Sequence, residues 1–151
     1  MRALACVFLI ACGGGDTPIE GDPLIQTTLM AQFNNREWTP AYGFGRTAGT
    51  NFEIFVGGDK ISCADDLPNM PRDGSYGGAS VPAPPTVGTY ATAPFTLFEI
   101  VDGDIVSRAT AGSVQMTAVG PISFSAVLAF DVTENGGRYA LNGAVTMRRC
   151  P

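Results

Sequence analysis

The chain has 151 residues, with nine basic and fourteen acidic side chains and no histidine. Without histidine it holds no Ser-His-Asp or Cys-His catalytic device and no His-ligated zinc or iron site, and it lacks the most frequently used general base near neutral pH. A formal charge of −5, dispersed with no run of five like charges, gives no electrostatic reason to seek nucleic acid or an anionic lipid surface.

Arg2 precedes an apolar run from Ala3 to Ala11. As a helix this run would rise only about 14 Å. A bilayer core of about 30 Å takes close to twenty apolar residues, so the run is too short to span a membrane. It fits the apolar region of a signal peptide, which covers about 7–15 residues. The run ends in Leu9-Ile10-Ala11-Cys12, which resembles the lipobox of bacterial lipoproteins. The resemblance implies that residues 1–11 are removed. It also implies that Cys12 becomes an acylated first residue and holds the protein on a membrane through several acyl chains. Gly13, not Asp, follows that cysteine, which points to the outer membrane of the bacterial envelope.

Residues 12–23 are small, acidic and interrupted by proline, and are expected to form a flexible tether to a single domain over 24–151. From Leu24 the pattern becomes alternation. Ile25, Thr27, Leu29, Ala31 and Phe33 fall on one face. Asn34-Asn35 offers a turn, Arg36-Glu37-Trp38 begins the return, and strands are predicted over Ala41–Thr47 and Asn51–Val56. Residues 64–88 contain five prolines and four glycines without visible period. They read as one long loop, either functional or mobile. A short strand over Thr89–Thr92 and one over Phe95–Val101, apolar on both faces, follow. Asp102-Gly103-Asp104 reads as a hairpin turn, and Ile105–Ala109 and Ser113–Val119 continue the meander. Ile122–Val132 gives the cleanest alternation. Asn135-Gly136, the strongest short hairpin signal, leads into Arg138–Arg149. About eight strands at this spacing, with no amphipathic helix, predict an all-β domain: an antiparallel β-sandwich or a small β-barrel.

Several of these motifs stand together. Asn34-Asn35-Arg36-Glu37-Trp38 behind a strand, Gly88-Thr89-Tyr90, Gly112-Ser113-Val114, the Ile122-Ser123-Phe124 strand and a terminal strand ending in Cys150 are found over Leu24–Cys150. The set resembles small β-rich lipoproteins of Bacteroidota and myxobacteria. The resemblance implies the fold and the address. That family has no assigned activity, so no substrate follows from it.

Of the four cysteines, Cys6 leaves with the signal and Cys12 is consumed by lipid. Cys63 and Cys150 remain, an even number in a disulfide-permissive compartment, and are expected to pair. Asp65, Asp66, Asn69 and Asp73 form the densest acidic group, but their spacing matches no calcium loop, and no metal or cofactor is expected. Glu53, Glu99 and Glu134 are isolated glutamates in or beside strands, of which a His-independent carboxylate hydrolase would need two. Asp102 and Asp104 fit turn chemistry. Arg148 and Arg149 are expected to pair across strands with acids such as Asp131. Trp38, Tyr42 and Phe44 lie close together and suit either a core or a stacking surface. Tyr76, flanked by glycines in the long loop, has the composition of a binding loop. Tyr76, Tyr42 and Phe44 are therefore the candidate ligand contacts. The expected function is that of a lipid-anchored, non-enzymatic binding or interaction module for a protein or carbohydrate, presenting loop 64–88. The alternatives are a barrel that carries a small hydrophobe in its cavity and the carboxylate hydrolase.

Overall fold

A computed structural model describes residues 21–64 and 73–151. The described residues are all-β. The strands, in chain order, are β1 (Gln26–Thr27), β2 (Met30–Phe33), β3 (Arg36–Trp38), β4 (Tyr42–Ala48), β5 (Asn51–Gly57), β6 (Gly74–Pro82), β7 (Gly88–Val101), β8 (Asp104–Val119), β9 (Ser123–Glu134) and β10 (Gly137–Arg149).

Each strand from β4 to β9 pairs antiparallel with the next, ending with β9 on β10. The free edge of β10 is then shared. Ala140–Asn142 takes β2, Val145 and Thr146 take β1, and Arg148 and Arg149 take β4 in a parallel pairing. The ladder therefore runs from β4 through β5, β6, β7, β8, β9 and β10 and back to β4 as a closed ring. The sequence predicted antiparallel pairing throughout, and the β4–β10 seam departs from it.

Local chemistry explains why the chain reverses where it does. Asn34 and Asn35, Asp102 and Gly103, and Asn135 and Gly136 occupy the central positions of three hairpin turns, all with φ between 51° and 82°. Two consecutive left-handed residues match the twist of the flanking strands, and Asn, Asp and Gly bear that conformation at least cost.

Alternate residues of β9, namely Phe124, Ala126, Leu128 and Phe130, point inward and are buried. They meet Phe52 at 5.0 Å edge to face and Phe95 at 5.6 Å stacked. Side chains from all sides of the ring fill its interior as one hydrophobic cluster. A second, smaller cluster lies on the outer face, made by Phe44, Ile61, Tyr76, Ile100 and Cys150. Strand β7 thus serves two cores. Phe95 and Leu97 face in, Ile100 and Phe98 face out, and this is why the strand reads as apolar on both faces.

The disulfide forms between Cys63 and Cys150, with an S–S distance of 1.95 Å. It closes the outer cluster and ties the end of the segment after β5 to the residue after β10.

Four sequence expectations are corrected here. Residues 74–82 are not loop but β6, a full member of the ring. Its small residues mimic loop composition because neighbours crowd both faces. A Cβ on Gly77 would stand 2.6 Å from Leu97 Cδ2, and one on Gly78 would stand 2.7 Å from the Ile54 carbonyl. Thr89–Thr92 and Phe95–Val101 are one strand joined through a bulge between Tyr90 and Ala93. The last residues of the expected tether fold onto the domain: Asp22 is buried and bonded. Finally, Ile25 and Ile122 are exposed rather than inward-facing.

Candidate functional site

The three candidate contact residues do not form a ligand surface. Tyr76 is 1 % exposed, lies in β6 and stacks on Phe98 with ring centroids 5.2 Å apart. Phe44 is fully buried, 5.3 Å from the Phe55 ring. Tyr42 is half-buried against the same outer cluster. Alternation did place Tyr42 and Phe44 on one face of β4, and that face carries the second core, which no pattern in β4 alone reveals.

The glutamates are also accounted for. Glu99 projects inward at the mouth of the ring, where Arg36 of β3 and Ser75 Oγ (3.1 Å) engage the same carboxylate oxygen. Glu53 Oε2 accepts from Arg46 Nε at 3.3 Å. Glu134 lies 3.7 Å from Arg108. The three carboxylates are held by three different arginines on different strands. Asp73 accepts from Gly103 N at 3.3 Å, so it braces the Asp102-Gly103 turn. Asp65, Asp66, Asn69 and the acylation site Cys12 lie outside the described residues. Among the described residues no three His, Cys, Asp or Glu side chains gather as a metal site.

Arg148 and Arg149 take other partners than Asp131. Arg148 Nη1 donates to Asp22 Oδ1 at 2.8 Å. Arg149 Nη1 donates to the Gly120 carbonyl at 3.1 Å, with its guanidinium 5.7 Å from the Phe52 ring centre. Asp131 is instead gripped by Arg138, its cross-strand neighbour, through two hydrogen bonds of 2.9 and 2.5 Å. These bonds hold the Asp131 carboxyl below its ordinary pKa, with the Arg138 charge adding to the effect and slight desolvation opposing it. They raise Arg138 in turn, to which the nearby Glu37 adds a smaller part.

Arg138 of that pair also lines a groove of about 280 Å³ over β2, β3 and β10. Met30, Gln32, Glu37, Trp38, Arg138 and Asn142 line it. Register places Met30, Gln32, Glu37 and Asn142 on one face, whereas Trp38 lies opposite the buried Ala31. Gln32 lies opposite Glu37 in the β2–β3 hairpin and opposite Ala140 across β10, and Met30 lies opposite Asn142. Met30 is 73 % exposed, the second most exposed large apolar side chain of the described residues. Gln32 Nε2 donates to Glu37 Oε1 at 3.2 Å, but Gln32 Oε1 and Trp38 Nε1 are buried without a hydrogen-bond partner. An indole, two carboxamides, a carboxylate and a guanidinium around one concavity make a mixed polar and aromatic surface. Sequence reasoning singled out Trp38 but not Gln32, Asn142 or Arg138. Only the pairing of β2 with β10, more than a hundred residues apart, brings them together.

Comparison with known proteins finds no matching family, no similar curated protein and no similar solved structure.

Proposed function

We propose that this chain is an exported, lipid-anchored binding module that takes a carbohydrate in the groove over β2, β3 and β10. The lipobox-like Leu9-Ile10-Ala11-Cys12 supports the anchor. The observation that carries the ligand reading is that two residues lining the groove each keep a buried polar atom without a partner, the donor of Trp38 and the acceptor of Gln32. A buried polar atom left unpaired costs about 1–3 kcal/mol. A hydroxyl can accept from an indole N–H or donate to an amide oxygen, and sugars offer several hydroxyls next to apolar ring faces that stack on indole. Both atoms are shut off from solvent, so a ligand engages them by turning the two side chains outward. The filled ring interior favours this reading over a carrier, which needs an enclosed apolar cavity.

Trp38 is the sole tryptophan of the chain, so its fluorescence reports on the groove. A panel of neutral and uronic acid oligosaccharides is expected to include one that shifts this emission saturably, and Gln32→Ala is expected to abolish the shift. A panel that leaves the emission unchanged overturns the ligand reading. The anchor is tested separately: Cys12→Ser is expected to end fatty-acid labelling and release the protein from the membrane fraction, and persistent labelling overturns it.

A further inference from the structure

Strand β8 pairs with β7 from Asp104 to Met116, but β9 joins its other edge only from Ser113. Among the described residues, Asp104–Gly112 therefore offers one edge of backbone donors and acceptors to no strand. Edge strands are ordinarily blunted by proline, bulges, lysine or short length. This stretch holds no proline or lysine, and the one bulge of the β7–β8 pairing falls opposite a later part of β8. It carries large exposed aliphatics instead. Ile105 is 58 % and Val106 is 54 % exposed, beside Val101 at 52 % on the facing strand.

The charges of the stretch identify what fits it. Asp104, Val106 and Arg108 share one face, being alternate residues of a strand. Among the described residues Asp104 makes no ion pair, while Arg108 lies 3.7 Å from Glu134 and 5.5 Å from the Tyr139 ring centre, with its Nε buried and unbonded. If the same stretch from a second copy lies antiparallel against it with Val106 opposite Val106, then Asp104 of each copy stands directly across from Arg108 of the other. Antiparallel pairing about a twofold axis gives Asp104 an opposite charge, brings a second carboxylate to Arg108, and covers Ile105 and Val106 on both copies. Sliding the pairing by four positions sets Arg108 against Arg108, so the charges also select the register.

We infer that residues 104–108 of β8 are a self-pairing edge through which two copies of this chain associate into an antiparallel dimer. The paired stretch is short, so the association is weak in solution. Confinement of both copies to one membrane surface would strengthen it by raising their effective concentration.

The test is sedimentation velocity on the full chain carrying Cys12→Ser, over a concentration series reaching the high micromolar range. A monomer–dimer equilibrium is expected. Asp104→Arg and Arg108→Asp, each alone, are expected to weaken it about tenfold by setting like charges opposite one another, and the double exchange D104R/R108D is expected to restore it. Val106→Lys, at a position more than half exposed, is expected to abolish it. A chain that stays monomeric throughout, a dimer indifferent to Val106→Lys, or a double exchange that fails to restore association while circular dichroism remains native overturns the proposal.

Discussion

Asp22 Oδ2 accepts a hydrogen bond of 2.7 Å from the backbone N–H of Cys63, forty-one positions away. The other carboxylate oxygen takes Arg148, two residues before Cys150. Its own backbone joins in: Asp22 N donates to the Ile61 carbonyl at 2.7 Å, and Asp22 O accepts from Gly43 N at 2.8 Å. One side chain thus ties the start of the domain to both strand ends that the disulfide joins.

Replacing that carboxylate strands buried partners. Asp22→Ala is expected to lower unfolding stability by about 1–3 kcal/mol, the cost of leaving a buried donor unpaired. Asp22→Asn, which keeps one acceptor, is expected to lose less. Urea denaturation followed by circular dichroism measures both, and equal stability of Asp22→Ala and the wild type would refute the tie.

The Cys63–Cys150 bridge spans 87 positions. Constraining so long a segment in the unfolded chain is worth roughly 4 kcal/mol on the chain-entropy account. Cys63→Ser combined with Cys150→Ser is expected to shift the urea midpoint down correspondingly. Intact wild type is expected to show no reaction with a thiol alkylating agent at these positions until a reductant is added.

Gly45 is a close-approach position. A Cβ there would sit 2.4 Å from Phe124 Cε1 and 2.5 Å from Phe52 Cζ, with both rings locked in the interior cluster. Overpacking of this kind costs about 1–3 kcal/mol, so Gly45→Ala is expected to lower the melting temperature. Gly49, whose Cβ would meet nothing within 4 Å, has φ +60°, so any loss on Gly49→Ala comes from backbone strain alone and is expected to be smaller. Reversal of that order by calorimetry would contradict the packing described.

The Asp131–Arg138 pair gives a pH signature. The Asp131 pKa is lowered in the folded state, chiefly by the Arg138 hydrogen bonds. The folded state therefore binds fewer protons at this site, and its stabilisation is fully present above the ordinary Asp pKa. It is lost as pH falls through the lowered value. The pair is exposed, so the effect is small. The stability gap between wild type and Asp131→Asn is expected to be constant near neutrality and to close at strongly acid pH. A gap that widens on acidification would reverse the sign.

Much of the fold was legible because it is local. Asn-Asn, Asp-Gly and Asn-Gly each needed two consecutive left-handed residues, and Phe124, Ala126, Leu128 and Phe130 kept strict alternation against a single interior. Cys63 and Cys150 were paired by arithmetic. The misreadings share one physical cause, which is crowding from elements remote in the chain. Gly77 and Gly78 are small because Leu97 and the β5 backbone press on β6, yet small residues in series look like a loop. Tyr76, just before them, looked like a recognition side chain and is a core residue. Asp22 looked like tether polarity because its partners, Cys63 and Arg148, lie far along the sequence. The groove was illegible for the same reason, since Arg138, Ala140 and Asn142 of its lining come from β10.

The seam that β10 closes also orders events in time. It pairs with β1, β2, β4 and β9, and all four precede it in a chain delivered amino end first. Until it arrives, the earlier strands have no way to complete the circle, so the ladder from β4 to β9 waits as an open ribbon and becomes a ring only when β10 has been made.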